Sequence, residues 1–152
     1  MPNSSTSGPP DAFRGAGSVR VGTDLCSVQD VADSVERFGD RYLSRVYTDH
    51  ELEYCHSDPA LSAERLAARF AAKEATVKVL RPSDVRPDWR TIEVLRDPAG
   101  WCELLLTGTA ARLAREAEIG GLALSMSHDG GVANAVVVAT MLKHESIEGI
   151  RT

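Results

Sequence analysis

The sequence has no uninterrupted apolar stretch near the roughly 20 residues that a helix needs to cross a bilayer, and its start lacks the charged-then-apolar order of a secretory signal. A cytoplasmic protein without a membrane partner is therefore expected. A basic excess is also missing: 17 Lys and Arg against 22 Asp and Glu leave a formal charge of -5, which disfavours non-specific nucleic-acid binding. Cys26, Cys55 and Cys102 are odd in number and far apart. They supply neither a disulfide framework nor the close Cys/His spacing of a zinc site, and are expected to be reduced, partly buried thiols. No internal repeat of fixed period is visible.

At 152 residues and 43% hydrophobic composition, the chain suits one domain. Residues 1–17, rich in Ser, Gly and Pro, hold too few apolar side chains to offset the entropy of ordering and are expected to be a disordered extension. The domain is expected over 18–142, followed by a tail over 143–152. A strand is predicted from Val19 to Asp24, with Ser27 as helix cap. Val28, Val31, Ala32, Val35 and Phe38 recur at helical steps up to Gly39, and a short helix over 40–46 follows. Ser57-Asp58-Pro59 is predicted to open the longest helix, which runs to residue 80 and is ended by Arg81-Pro82. Asp97-Pro98-Ala99-Gly100 separates strand candidates over 91–96 and 101–107. A helix over 109–119, stopped by Gly120-Gly121, precedes a second hairpin over 122–127 and 132–141. Helices with two hairpins, rather than regular strand–helix alternation, make the fold class α+β.

Within the long helix Arg69 and Lys73, and Glu74 and Lys78, stand four residues apart on shared faces. A lone exposed Glu–Lys pair contributes only a few tenths of a kcal/mol, about what surface pairs give. A second carboxylate, Asp24 at a strand end, changes the chemistry available, since two carboxylates can fix magnesium while substrate phosphates and water complete the shell. Read alone, Asp24 is equally a turn or helix-start carboxylate.

Val21-Gly22-Thr23-Asp24, then Arg69-Phe70-Ala71-Ala72-Lys73-Glu74-Ala75 with Lys78, then Trp89-Arg90-Thr91-Ile92-Glu93-Val94, and last Ser125-Met126-Ser127-His128-Asp129, occur in this order. Together they resemble the holo-acyl-carrier-protein synthase family of 4′-phosphopantetheinyl transferases over about residues 19–140. The resemblance implies that fold, with a long helix on a small antiparallel sheet. It implies transfer of 4′-phosphopantetheine from coenzyme A to a serine of an apo-acyl carrier protein, with release of 3′,5′-ADP. It further implies Mg2+ held by Asp24 and Glu74, Lys78 facing the phosphates, and His128 near the coenzyme's nucleotide end. A homotrimer with sites between subunits is implied as well, so that His128 serves a neighbour's Asp24 and Glu74. Lys73 and Arg69 are assigned to phosphate or structural contacts. The client carrier, from fatty-acid, polyketide or peptide assembly, stays open.

Three departures accompany the match. Many members carry Gly-Thr-Gly after the lysine, where this chain has Val79-Leu80-Arg81-Pro82-Ser83, so Arg81 and Ser83 are candidate side-chain donors to the coenzyme. Trp101 follows Gly100 at the central turn, either to stack on adenine or to plug the core. Ser27 and Asp30 stand where the first helix often carries an acid and an arginine, while Arg37, Arg41 and Arg45 keep four-residue spacing and predict a basic stripe for an acidic carrier. The alternatives are a catalytically silent module of the same fold that binds coenzyme A or carrier protein, and a magnesium-dependent phosphohydrolase.

Overall fold

Small residues on two elements decide how closely a helix can lie on a sheet, and here they face each other. The structure, a computed structural model, describes residues 18–143, so the expectations for 1–17 and for the tail beyond Lys143 lie outside the described residues. In chain order it forms β1 (Val19–Ser27), α1 (Val28–Phe38), α2 (Asp40–Val46), α3 (Asp49–His56), α4 (Ser62–Leu80), a 3-10 turn (Trp89–Thr91), β2 (Ile92–Arg96), β3 (Cys102–Leu106), α5 (Gly108–Glu116), β4 (Ile119–Asp129) and β5 (Val132–Met141). The sheet is antiparallel in the order β1-β5-β4, and β2-β3 is a separate antiparallel hairpin. This is the expected α+β architecture.

Helix α4 packs across β1 and β5. Its buried Ala68, Ala71, Ala72 and Ala75 meet a strand face made of Ala133, Ala135, Val137 and Ala139, all fully buried. Short side chains on both sides let the backbones approach, and α4 buries most of its circumference, as an element enclosed on several sides must. The approach is closest at Gly22, where an added Cβ would sit 2.2 Å from the Ala75 carbonyl oxygen.

Several boundaries differ from the sequence expectation. Strand β1 continues past Asp24 to Ser27, because pairing with β5 persists to Ser27–Val132; Ser27 then caps α1, accepting a bond from the Asp30 amide. Helix α3 was not foreseen, although Thr48 and Glu51 form a capping box at its start. Helix α4 begins at Ser62 rather than near Pro59: Asp58 accepts from the Ala60 amide in a local turn and delays helix entry. Helix α5 stops at Glu116, with Glu118 at a left-handed φ of 58°, and Gly120 and Gly121 belong to β4, where the register shifts.

Gly22→Ala is expected to cost about 1–3 kcal/mol through overpacking against the α4 backbone. A thermal melt that overlays wild type would contradict this close contact.

Candidate active site

Strand parity places Gly22, Asp24 and Cys26 on the face of β1 toward α4, and Gly22's contact with Ala75 sets the meeting point. Two residues along the strand, Asp24 Oδ1 lies 3.1 Å from Lys78 Nζ, which also donates to the Thr23 carbonyl at 2.6 Å. The Asn134 side-chain amide donates to the Asp24 carbonyl at 3.1 Å and to Thr23 Oγ1 at 3.3 Å, steadying this stretch of β1 from β5. Thr23, Asp24, Leu25, Lys78 and Asn134 line a shallow depression of about 410 Å³.

Glu74 stands one helical turn before Lys78, three-quarters buried, with Arg86 Nη1 3.9 Å from its carboxylate. Its neighbourhood with Asp24 is felt at Cys26. That thiol is pushed up to about 11, by burial first and then by the charges of Asp24, Asp30 and Glu74. Cys26 is buried on the α4 side of β1, and the upward shift disfavours the thiolate that a nucleophile needs.

The donor set tests the expected metal. Among the described residues no group of three or more His, Cys, Asp or Glu forms a protein-only cage. Two partly exposed carboxylates with an ammonium beside them instead fit an ion that takes only part of its shell from protein and the rest from phosphate and water, as magnesium does.

Lys73, one residue from Glu74 and turned about 100° from it, points into the core. Its ammonium is fully buried, 2.9 Å from Glu51 Oε2, and donates to the carbonyls of Trp89 and Ile92. The expectation of a coenzyme contact from Lys73 is thus replaced by the structural role. Burial pushes its pKa below the ordinary lysine value while Glu51 opposes that shift. Glu51 also accepts from the amides of Thr48 and Val94, so the pair ties α3, α4, β2 and the 3-10 turn together. Glu51 carries no signal of this role beyond the Thr48-x-x-Glu51 capping pattern.

Arg69 and His128 meet at a second cavity of about 290 Å³ with Tyr54, Arg65, Arg96 and Ser127. Arg65, Arg69 and Arg96 surround the Tyr54 ring at 4.4, 4.4 and 5.3 Å. Arg69 is almost fully buried with its Nε unpaired, and His128 Nδ1 lies 2.7 Å from Glu64. None of the residues around Asp24 lines this cavity, so one chain does not bring His128 to its own carboxylate pair. Arg81 and Ser83 line a third groove with Arg20, Leu113 and Glu116, away from Asp24. Arg81 takes left-handed backbone (φ 51°) as the α4 cap, and the residue that returns to Glu74 is Arg86. Trp101 is 74% exposed at the hairpin tip, which rules out the core plug.

Replacing Lys73 with Met is expected to cost about 3–5 kcal/mol by stranding the Glu51 carboxylate, with Glu51→Leu/Lys73→Met together costing less than the single change. A double variant that is less stable than Lys73→Met in urea unfolding would contradict that account.

The sequence profile described as the 4′-phosphopantetheinyl transferase superfamily matches residues 20–133. The holo-[acyl-carrier-protein] synthases of Desulforudis audaxviator and Koribacter versatilis are 40% and 42% identical to this chain, covering 78% of it and 90% and 94% of their own lengths. Among solved structures, the Chronobacterium ammoniagenes ACPS-CoA complex superposes with a TM-score of 0.72 at 32% identity, over 82% of this chain and 98% of its own. A Bacillus anthracis holo-(acyl-carrier-protein) synthase in complex with CoA (3′,5′-ADP) does so at 0.64 and 25%, over 80% and 96%. With the profile spanning most of the chain and these relatives matched over nearly their whole lengths, this chain belongs to the 4′-phosphopantetheinyl transferase superfamily.

Proposed function

We propose that this chain transfers 4′-phosphopantetheine from coenzyme A to a serine of an apo-acyl carrier protein, as the named activity of its relatives suggests. The observation that carries the reading is the contact of Lys78 with Asp24 at 3.1 Å where β1 crosses α4 at Gly22, with Glu74 one helical turn before Lys78. The carrier serine Oγ attacks the β-phosphorus of the coenzyme, a new P–O bond forms to serine, and the bond to the departing 3′,5′-ADP breaks. Glu74 takes the hydroxyl proton on a carboxylate oxygen. Lys78, half exposed and held by the Thr23 carbonyl, sets a positive charge beside the pyrophosphate, where negative charge accumulates. Asp24 and Glu74 would hold Mg2+, which supplies Lewis-acid neutralisation of the phosphate oxygens when bound. No covalent enzyme intermediate is needed, in keeping with the suppressed thiol of Cys26.

The second cavity supports a nucleotide role for Arg69 and His128. A buried guanidinium with an unpaired Nε, beside an aromatic ring and a partly exposed imidazole, offers donors to the coenzyme's phosphate end. Exposed Trp101 is left as a candidate stacking surface for adenine. Because this cavity and the carboxylate pair sit apart in one chain, a complete site needs a neighbour, and the sheet offers a surface for one. On the face turned from α4, Val19, Val21 and Leu25 are 46%, 63% and 69% exposed and run beside Val136 and Val138. An apolar sheet face of this kind fits subunit association, which supports the homotrimer proposed here. The protein acts in the cytoplasm in this reading; no helix among the described residues is long and apolar enough to cross a membrane.

Incubation with coenzyme A, magnesium and apo-carrier proteins, read by intact carrier mass, is expected to show a phosphopantetheine gain. Asp24→Ala and Glu74→Ala should each slow it by about 10²–10³-fold, the scale of losing one preorganised charge contact. Coenzyme A binding with no mass gain on any carrier would instead favour a silent binding module. Val21→Glu is expected to convert a trimer to monomer in light scattering and to abolish transfer; a trimer that persists would place the interface elsewhere.

A further inference from the structure

The cavity of about 290 Å³ that holds Arg69 and His128 also opens onto a thiol, that of Cys102. In the β2-β3 hairpin Cys102 stands directly opposite Arg96, a register that sets the thiol and the guanidinium side by side on one face. Arg69 acts on the same thiol, and both guanidinium groups favour its charged form. Cys26 and Cys55 are buried in the core, whereas Cys102 is half-buried. Of the three thiols it is the one that a small molecule in the cavity can reach.

The walls around it suit an anion. Arg65, Arg69 and Arg96 all line the cavity, and none of them is ion-paired among the described residues. The carboxylate in the lining, Glu64, is engaged by His128 at 2.7 Å. Arg69 is only 3% exposed and its Nε has no partner, a buried donor left for an incoming acceptor. A compact thiol compound with free carboxylates meets both demands, its carboxylates on the guanidinium groups and its sulfur at Cys102.

Resting on the reading of this cavity as the coenzyme's nucleotide seat, we propose that Cys102 is a modification site that takes a mixed disulfide from a compact anionic disulfide of the glutathione class, which closes the cavity to coenzyme A. The Cys102 thiolate attacks one sulfur of the incoming disulfide, and a new S–S bond forms as the old one breaks. The departing half leaves as a thiolate and takes up a proton in place of the one Cys102 released. Cys102 is oxidised and the departing half is reduced, so the disulfide is the only oxidant needed, and excess free thiol reverses the step. Burial pushes the Cys102 thiol up, Arg69 and Arg96 draw it down, and Asp97 adds to the rise. The exchange is therefore slow at neutral pH and speeds up as pH rises.

Glutathione disulfide is the anionic probe, and cystamine, a cationic disulfide, is its control. On the full chain, glutathione disulfide is expected to add one glutathionyl group, which peptide mass mapping places at Cys102. Its rate relative to cystamine should exceed the same ratio in the urea-unfolded chain by at least about 5-fold, and Arg96→Gln should narrow that preference. The modified protein is expected to bind coenzyme A at least about 10-fold more weakly by calorimetry, with dithiothreitol restoring the original Kd. Cys102→Ser should escape modification and keep its coenzyme A Kd in the presence of glutathione disulfide. No modification at Cys102, or a rate ratio no greater than that of the unfolded chain, would overturn the inference. So would an unchanged coenzyme A Kd in the modified protein when Arg69→Gln weakens that binding, a result that leaves the nucleotide reading standing. If Arg69→Gln leaves the Kd unchanged as well, or wild type binds no coenzyme A, it is the nucleotide reading that has failed, and the closing of the cavity falls with it.

Discussion

The rotation of α4 about its axis decides which of its charged side chains reach solvent, and the buried pair of Glu51 and Lys73 fixes that rotation. An ammonium drawn out of water is tolerable only where its partners surround it. Lys73 finds them in the Glu51 carboxylate and the carbonyls of Trp89 and Ile92, all on one side of the helix. Each helical step turns about 100°, so holding Lys73 inward carries Glu74 round toward the open side and brings Lys78 onto nearly the same line as Glu74. Toward the middle of α4 the buried apolar residues are alanines, with Leu66, Val77, Val79 and Leu80 nearer its ends, so few large side chains set such an angle beside Lys73. The ion pair supplies the specificity that packing of methyl groups does not.

The second constraint is the depth at which β1 crosses α4. Absence of a side chain at Gly22 brings the strand onto the Ala75 carbonyl, and the alternation of β1 then delivers Asp24 to the Lys78 ammonium. Asn134 fastens the same stretch from the neighbouring strand. The candidate reactive groups thus come from a strand and a helix rather than from loops, which suits the proposed chemistry, dependent as it is on fixed charges near a transferring phosphoryl group.

Much of this was legible in the sequence, and the rest was hidden for identifiable reasons. Helices α1 and α2 and the strands around Asp97–Gly100 and Asp129–Gly131 carry caps, turns and clean periodicities. Helix α3 carries a weak sequence signal because it has little amphipathic character and turns a glutamate into the core beside Cys55. The start of α4 was misplaced because Leu61 provides no side-chain cap there, while the better capping residues upstream form an isolated turn. Asp24 and Lys78 belong to separate motifs of the ordered set, and the structure brings their side chains to 3.1 Å. Lys73 stayed open between phosphate and structural contacts, since which face of the helix turns inward depends on Glu51, far away along the chain. Arg86 had no local signal at all; only the return of the chain after Arg81 brings it to Glu74.

The central claim is that Asp24 and Glu74 jointly hold a divalent cation that is shared with the coenzyme's pyrophosphate. Manganese in place of magnesium allows this to be read without turnover, by pulsed electron–nuclear double resonance on the protein with bound coenzyme A. The account predicts strong phosphorus coupling to the manganese in wild type and its loss, with weakened metal affinity, in both Asp24→Asn and Glu74→Gln. Phosphorus coupling that survives in both variants, or manganese bound with no phosphorus coupling in wild type, would contradict it.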